Sequence, residues 1–392
     1  MSAVVNSQAL TEQEFAAIDT ATGSAHGLPN RFYTSAEAAQ LERDQVLART
    51  WVCVGFASEL APASARPVDL LGLPLVLVKD KDDTMRVFHN VCWHRGHKLV
   101  PEACSFQGAI RCPYHSWTYG FDGALRGTPH IGGHGVHDTP EFDRATRPLM
   151  QVRSEVWMDL VFVNLSGDAA TFADYIRPLE VRWSEFLGVD GLNEARVASN
   201  DERMELTLNC NWKLAVENYC ESYHLPWVHP GLNSYSRIED HYNIVAGDWG
   251  AGQGTKVFEF SERAGIELQR FSAWPEDKLK IAEYIALFPN VLLGLQNDPI
   301  FVMLLLPSTH ARTLERVQLY YVGEQAVSEA KADARKTMVD GWREVFLEDV
   351  GVCEGMQQGR ASTAFDGGAF SPALDNATHH FHRWVASRLH DL

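Results

Sequence analysis

The sequence lacks the features that mark a nucleic-acid-binding, membrane or secreted protein. Its 392 residues include 34 Lys and Arg against 51 Asp and Glu, a formal net charge of −17. Such an acidic chain is repelled by phosphate backbones and anionic lipids, so neither nucleic acid nor membrane is an expected partner. No apolar run is long enough to span a bilayer, and the N-terminus resembles neither a signal nor a transit peptide. We therefore predict a cytoplasmic protein whose seven cysteines are reduced.

The composition and the apolar pattern predict a globular chain of two domains, or three. Hydrophobic residues make up 45% and charged residues 22% of the chain, which excludes a mainly disordered or coiled-coil protein. From Trp51 to about Leu165, short branched and aromatic runs between Gly, Pro and Asp predict strands and hairpins. After about residue 168, helical stretches alternate with strand candidates, which is an α+β pattern. A long helix is expected from Ala326 to Met356, and Ser35 is expected to cap a helix near the N-terminus.

A first candidate metal site consists of two pairs of residues, Cys92-x-His94 and Cys112-x-x-His115, separated by 17 residues. Thiolate ligands favour iron–sulfur clusters, zinc and Cu(I). A structural zinc site usually pairs Cys with Cys and His with His. Here each pair mixes Cys with His, which favours a two-iron, two-sulfide cluster in which two His replace two Cys. Zinc remains the alternative for this motif.

A second candidate metal site lies between residues 210 and 231. On a helix that begins near Trp212, Glu217, Glu221 and His224 would fall on one face. Pro226 is expected to end this helix, and His229 follows in the turn. Two histidines and one carboxylate on one side of ferrous iron leave positions open for O2 beside a substrate. The pattern therefore favours a mononuclear iron site, although histidines near an apolar helix are more often structural.

The two motifs together resemble Rieske non-haem iron oxygenases, in particular the terminal (alpha) component of the ring-hydroxylating oxygenase family. The first motif is similar to the family's C-x-H and C-x-x-H pairs, and the resemblance implies that Cys92 and Cys112 hold one iron of a [2Fe–2S] cluster and His94 and His115 the other. The second is similar to the family's mononuclear iron segment, with the matching residues Asn211-Trp212-Lys213, Glu217-Asn218, Glu221, Tyr223-His224 and His229.

The third iron ligand comes from the same resemblance. The stretch FLEDVGVCEGMQQGR is similar to the family's terminal pattern E-D-x4-E-x2-Q-x-G. This match implies that Asp349 joins His224 and His229 at the mononuclear iron, with Glu348 as the alternative. Asn211 and Asn218 are candidates to hydrogen-bond the ligands, because metal-bound imidazoles usually need a partner that fixes their tautomer.

The resemblance also implies the fold. We expect an N-terminal segment over residues 1–46 that packs on the catalytic domain, a Rieske-type β domain over 47–160, and a catalytic domain over 161–392. The catalytic domain is expected to have the helix-grip architecture, an antiparallel sheet with helices, so that the whole chain is α+β.

Partners and electron transfer follow from the family as well. The cluster would receive electrons from a separate ferredoxin or reductase, and NAD(P)H would bind that partner, since no G-x-G-x-x-G fingerprint follows a strand here. The family implies a homotrimer, in which Glu221 bridges His224 of its own chain and His115 of a neighbouring chain. The reaction would be hydroxylation, or removal of a methyl group by hydroxylation, with O2 as cosubstrate.

The substrate class is suggested by one departure from the family's pattern. Most members have Asp where this chain has Glu221, and members that act on carnitine or betaine-like substrates have Glu. A quaternary ammonium substrate would bind through cation–π contacts. Aromatic residues of the catalytic half that could supply them are Tyr235, Tyr242, Tyr284, Phe288, Phe301 and Trp342. Three alternatives remain: an aromatic substrate, a zinc-stabilised binding module without redox chemistry, and a Rieske electron carrier fused to an inert domain.

Overall fold

The computed structural model describes residues 9–199 and 202–390. The chain forms two compact units: an inserted unit, Trp51–Ala169, and a main unit made of the chain before and after it. The first eight residues of the expected N-terminal segment lie outside the described residues. Among the described helices, none is long and apolar enough to cross a membrane.

The inserted unit is built almost entirely from antiparallel strands. Seven of them pair in the order β1-β10-β9-β4-β3-β2-β5, and three short ones form a second sheet, β6-β7-β8. The strands are β1 (Val52–Phe56), β2 (Ser64–Leu70), β3 (Leu73–Lys79), β4 (Met85–His89), β5 (Cys104–Ser105), β6 (Ile110–Arg111), β7 (Thr118–Tyr119), β8 (Leu125–Gly127), β9 (Gln151–Trp157) and β10 (Leu160–Asn164). Both cysteines of the first motif belong to a buried core between these sheets, with Phe88, Trp117 and Tyr119.

The main unit contains one antiparallel sheet of eight strands. Its order is β11-β18-β17-β16-β15-β14-β13, and β12 also pairs with β18. The strands are β11 (Ala195–Arg196), β12 (Met204–Leu208), β13 (His241–Val245), β14 (Gly250–Thr255), β15 (Ala282–Leu287), β16 (Val291–Leu295), β17 (Pro299–Thr309) and β18 (Arg312–Val322). With the helices below, this sheet confirms the expected α+β fold.

All described α-helices belong to the main unit. They are α1 (Glu12–Ile18), α2 (Arg31–Thr34), α3 (Ala36–Glu42), α4 (Phe172–Leu187), α5 (Trp212–Tyr219), α6 (Leu225–Val228), α7 (Pro230–Asn233), α8 (Phe260–Ala264), α9 (Gly323–Ala326), α10 (Ala332–Gly359) and α11 (Asn376–His390). Ser35 caps α3 as predicted, since its hydroxyl accepts a hydrogen bond from the N–H of Ala38 at 3.2 Å.

The N-terminal segment is bound to the far end of the chain. The N–H of Leu10 donates to the carbonyl of Leu389 at 3.1 Å, and His26 forms a bridge with Ala369. The segment also reaches α5, because the side chains of Glu42 and Lys213 form an ion pair that is fully buried. Residues 9–50 and the second half of the chain therefore form one folded unit.

Two predicted helix boundaries are wrong. The helix that begins at Trp212 ends at Tyr219, so Glu221 and His224 do not lie on it. The carboxylate of Glu221 accepts hydrogen bonds from the N–H groups of Tyr223 and His224. These bonds fold the chain into a tight non-helical turn, so the helix does not continue. Pro226 does not end the first helix but lies in the first turn of α6, where its missing N–H is tolerated.

The second wrong boundary concerns the long helix. The long helix is expected to begin at Ala326, but Ala326 is the last residue of α9. A short 3₁₀ turn at Glu329–Lys331 follows it. The helix α10 starts at Ala332 and continues to Gly359, beyond the expected end at Met356. The glycines in this stretch do not stop it, because α10 packs on the sheet and on α5.

Candidate metal centres and active-site cavity

The Cys–His pairs of the inserted unit lie on two loops with the same backbone hydrogen bonding. The carbonyls of Cys92 and Cys112 each accept a hydrogen bond at 3.0 Å from the residue four positions on, Gly96 and Ser116. These two residues have φ values of +69° and +59°, in the left-handed region. The shared geometry turns each loop back on itself and directs both pairs toward one point.

The cysteines and the histidines of this motif differ in how deeply they are buried. Cys92 and Cys112 are buried, whereas His94 is exposed and His115 half-buried. The Nδ1 atoms of the two histidines lie 3.1 Å apart, and the ring of Trp117 stacks on His94 at 4.7 Å. Two convergent imidazoles outside and two thiols inside are the donor set of a [2Fe–2S] cluster with mixed ligands, so the residues fit that group.

The second motif brings three donors of the main unit together. The Nε2 atom of His229 lies 3.1 Å from Oδ1 of Asp349, and Nε2 of His224 lies 3.7 Å from the same oxygen. One donor atom from each residue falls within 4.8 Å of the others. His224 precedes α6, His229 follows it and Asp349 lies on α10, so the turn after α5 is what allows the three to meet.

Both imidazoles are oriented by carboxylates on their other nitrogen. Nδ1 of His224 lies 2.7 Å from Glu221, and Nδ1 of His229 lies 2.7 Å from Glu348. A carboxylate accepts, so each Nδ1 carries the proton and each Nε2 is free to bind a metal. Two neutral imidazoles and one carboxylate fit a mononuclear ferrous site. Such an iron, when bound, supplies the position at which O2 is activated.

The electrostatics of this cluster favour a cation. Burial lowers the pKa of His229, but hydrogen bonds and charge from Asp349 and Glu348 outweigh this effect, so that its pKa is raised. The half-buried carboxylate of Asp349 is held by the amide of Asn218, whose Nδ2 donates to Oδ1 at 2.9 Å. Asp349, together with Glu221 and Glu348 behind the imidazoles, therefore makes this point favourable for positive charge.

The two asparagines were expected to support the histidines, and the structure places them differently. Asn218 bonds Asp349 rather than an imidazole. Asn211 caps α5: its side chain accepts from the N–H of Lys213 at 3.1 Å and donates to the carbonyl of His310 at 2.8 Å. A side chain must reach Nδ1 to fix the tautomer of an imidazole. Here Glu221 and Glu348, not the asparagines, reach the Nδ1 atoms of His224 and His229.

A cavity of the main unit opens beside the three donors and encloses about 770 Å³, including its mouth. Five aromatic side chains line it: Tyr219, Tyr284, Phe301, Trp342 and Phe346. The ring of Trp342 lies at the centre of this group of aromatic rings, with its centroid 4.7 Å from that of Phe301, 5.6 Å from that of Phe346 and 6.3 Å from that of Tyr284.

The aromatic residues proposed from the sequence are divided by this geometry. Tyr284, Phe301 and Trp342 line the cavity. Tyr235 packs under Arg263, Tyr242 bonds Glu283 and Phe288 packs on Phe381 and Trp384. Sequence reasoning missed Tyr219, Phe346 and the buried Glu315, which also lines the cavity; the alternation of strand β18 could place Glu315 inward, but no motif marks it.

The regions that contain the two candidate sites each match a known protein family. Residues 50–142 match the model of the Rieske [2Fe-2S] domain, and residues 196–391 match that of the ring hydroxylating alpha subunit (catalytic domain). The carnitine monooxygenase oxygenase subunit of Escherichia coli (strain K12) is 27% identical over 378 residues, 93% of this chain and 94% of that protein. The chloroplastic choline monooxygenase of Arabidopsis thaliana is 26% identical, over 90% of this chain and 81% of that protein.

Solved structures share the fold over nearly the whole chain. The crystal structure of the quaternary ammonium Rieske monooxygenase CntA in complex with L-carnitine has a TM-score of 0.75 and 24% identity. The similarity covers 97% of this chain and 99% of that one. At this identity the likeness shows the fold alone.

The chain therefore belongs to the family of ring-hydroxylating oxygenase alpha subunits with a Rieske domain. It is an oxidoreductase, a Rieske non-haem iron oxygenase, whose cofactors are a [2Fe–2S] cluster and a mononuclear iron and whose cosubstrate is O2. It acts on a small molecule with electrons from a reductase or ferredoxin. The alternatives of a zinc-stabilised module and of an inert second domain are thereby excluded.

Proposed function

We propose that this oxygenase hydroxylates or oxidatively demethylates a quaternary ammonium compound. The cavity beside His224, His229 and Asp349 carries this proposal, because its wall combines clustered aromatic rings with a buried carboxylate. Aromatic faces attract an ammonium group through their quadrupole, most strongly where water is excluded. Relatives named for carnitine and choline monooxygenation support the same substrate class.

We further propose the ligand assignment and the domain roles. Cys92, His94, Cys112 and His115 would hold the cluster in a Rieske domain over residues 47–160. His224, His229 and Asp349 would hold iron in the catalytic domain over 161–392, on which residues 1–46 pack. The convergence of each donor set on one point supports these assignments.

Electron transfer between the two centres is proposed to cross a subunit boundary in a homotrimer. Glu221 already contacts His224 within its own chain. Near it, Tyr223 and Trp227 are 44% and 72% exposed, which is a surface suited to a partner. A neighbouring chain's cluster histidine, its counterpart of His115, would then meet Glu221 there. We expect the homotrimer to be the active form of the protein and to act in the cytoplasm.

A single-turnover experiment tests the function. Protein with both metal sites filled is chemically reduced, exposed to O2 and offered a panel of trimethylammonium compounds and aromatic acids. We expect mass spectrometry to show that an ammonium compound has lost a methyl group or gained oxygen. Oxidation of an aromatic acid, with every ammonium compound intact, would contradict the proposal and favour the aromatic alternative.

A further inference from the structure

Glu315 stands out among the cavity residues because it is a buried carboxylate with no counter-ion. Its side chain is 5% exposed and lines the cavity. Its cross-strand neighbours are Leu305 on β17 and Leu206 on β12. Within the described part of the chain, Glu315 makes no side-chain hydrogen bond or ion pair. A buried carboxyl group that the protein itself leaves unpaired is costly to maintain.

The electrostatic surroundings of Glu315 lack positive charge. Burial, and then the negative charge of Asp349, raise the pKa of Glu315 to about 8, so that its carboxyl is mostly protonated near pH 7 until a positive charge binds beside it. Among the described residues that line the cavity, none is Lys or Arg. Burial lowers the pKa of His241, so that this imidazole in the cavity wall is neutral near pH 7. The remaining polar groups of the wall include the neutral side chains of Asn218 and Gln253.

This charge distribution distinguishes two kinds of ammonium compound. A zwitterionic betaine brings its own carboxylate into the cavity, where Asp349 repels it, no basic side chain receives it, and its charge opposes ionisation of Glu315. A compound with a cationic head and a neutral remainder avoids that repulsion. Such a head beside a divalent metal would be repelled by the metal, and a second carboxylate beyond Asp349 offsets this.

We propose that Glu315 is the counter-ion of the substrate's cationic head, and that the substrate is a net cation with a neutral tail rather than a zwitterion. The head would lie between the Glu315 carboxylate and the rings around Trp342, where charge attraction and cation–π contacts act together. This inference rests on the proposed function and narrows its substrate class. Glu315 is thus a specificity-determining residue of the cavity.

Binding of three matched ligands tests the inference. Choline is a net cation, glycine betaine is the corresponding zwitterion, and 3,3-dimethylbutan-1-ol is the neutral carbon isostere of choline. Calorimetric titrations use anaerobic protein with both metal sites filled. We expect wild-type protein to bind choline at least tenfold more tightly than either of the other two, since only choline has charge without a carboxylate.

The variant Glu315→Gln keeps the shape of the side chain but cannot ionise when a cation binds beside it. We expect its Kd for choline to rise at least tenfold, while that for the isostere stays within about twofold. The control is Glu205→Gln on β12, a carboxylate that is half exposed and paired with Arg316 instead of the cavity. This control should bind all three ligands as the wild type does.

Two results would overturn the inference. One is wild-type protein that binds betaine or the isostere as tightly as choline, a comparison that needs no variant. The other is a folded Glu315→Gln protein that binds choline as tightly as the wild type. Failure here, with an ammonium compound still oxidised in single turnover, leaves the proposed function intact. If only aromatic acids are oxidised, both the proposed function and the inference about Glu315 are wrong.

Discussion

At the residue scale, carboxylates decide what the two imidazoles that we propose to bind iron can do. Glu221 and Glu348 each lie 2.7 Å from a histidine Nδ1, which leaves Nε2 for the metal. The two carboxylates differ in their surroundings, because Glu221 is 14% exposed and Glu348 is 34% exposed. The contact with Nδ1 of His229 predicts that Glu348 orients this imidazole, a role separate from the proposed electron-transfer role of Glu221.

Replacing Glu348 by Ala should weaken iron binding about 10- to 100-fold, because loss of such a partner frees the tautomer and orientation of a ligand. Iron per chain, measured after dialysis against increasing chelator, checks this outcome. The control is Glu354→Ala on the same helix, since Glu354 bonds the backbone N–H of Asn209 and touches neither histidine. An unchanged iron affinity in Glu348→Ala would refute the orienting role.

Which residues can be predicted from the sequence depends on how local their signal is. The pairs Cys92-x-His94 and Cys112-x-x-His115 need only short loops, and the sequence shows both. Asp349 lies far along the chain from His224, so the sequence indicates it only through the resemblance to the family pattern and not through spacing. Glu315 has no motif at all, since its role depends on which face of β18 borders the cavity and on the charges missing around it.

At the element scale, α5 is held by buried charges rather than by an apolar face alone. Lys213 in its first turn pairs with Glu42 of α3, and both side chains are fully buried. Glu217 in its last turn lies 3.3 Å from Arg360 and from His382. Burial raises the pKa of Glu217, but the charges of His382 and Arg360 outweigh it and hold the pKa at about 2.

Replacing Lys213 by Met should lower the free energy of unfolding by about 3–5 kcal/mol, because Glu42 would remain buried without a partner. Thermal or denaturant unfolding measures the change. Lys336→Met is the matched control, since Lys336 pairs with Asp340 on the exposed face of α10 and such pairs contribute at most about 1 kcal/mol. If both variants lost the same free energy of unfolding, the buried pair would contribute no more to stability than the exposed one, and the prediction would be wrong.

The bounds of α5 show why helix patterns alone were insufficient. Glu217, Glu221 and His224 have helical spacing, yet the helix stops at Tyr219. The side chain of Glu221 binds the backbone N–H groups of the next turn, and Pro226 starts α6. Spacing identifies residues that could share a face, but side-chain capping competes with the helix for the same N–H groups.

At the scale of the whole molecule, the proposed trimer predicts complementation between two inactive chains. By the proposed ligand assignment, Cys92→Ala should lose the cluster and keep the iron, whereas Asp349→Ala should lose the iron and keep the cluster. In a closed ring, every mixed trimer has one interface where an intact cluster faces an intact iron, so we expect about one third of wild-type activity.

Coexpression of the two chains with different affinity tags yields the mixed oligomers, and oxygenation of the substrate with the reductase present measures their activity. Each variant alone serves as the inactive control. Mixed trimers as inactive as the two parents would mean that electrons stay within one chain, and the bridging role of Glu221 between subunits would then be wrong.

The hydrogen bond between Leu10 and Leu389 has a consequence for synthesis of the chain. The inserted unit, Trp51–Ala169, leaves the ribosome early and can fold as a unit. The first fifty residues must wait for α11, which at roughly 5–20 residues per second follows about 20 to 75 s later. Until then α11, the helix on which α1 packs, does not exist, so a nascent chain completes its cluster-bearing unit before its oxygen-activating one.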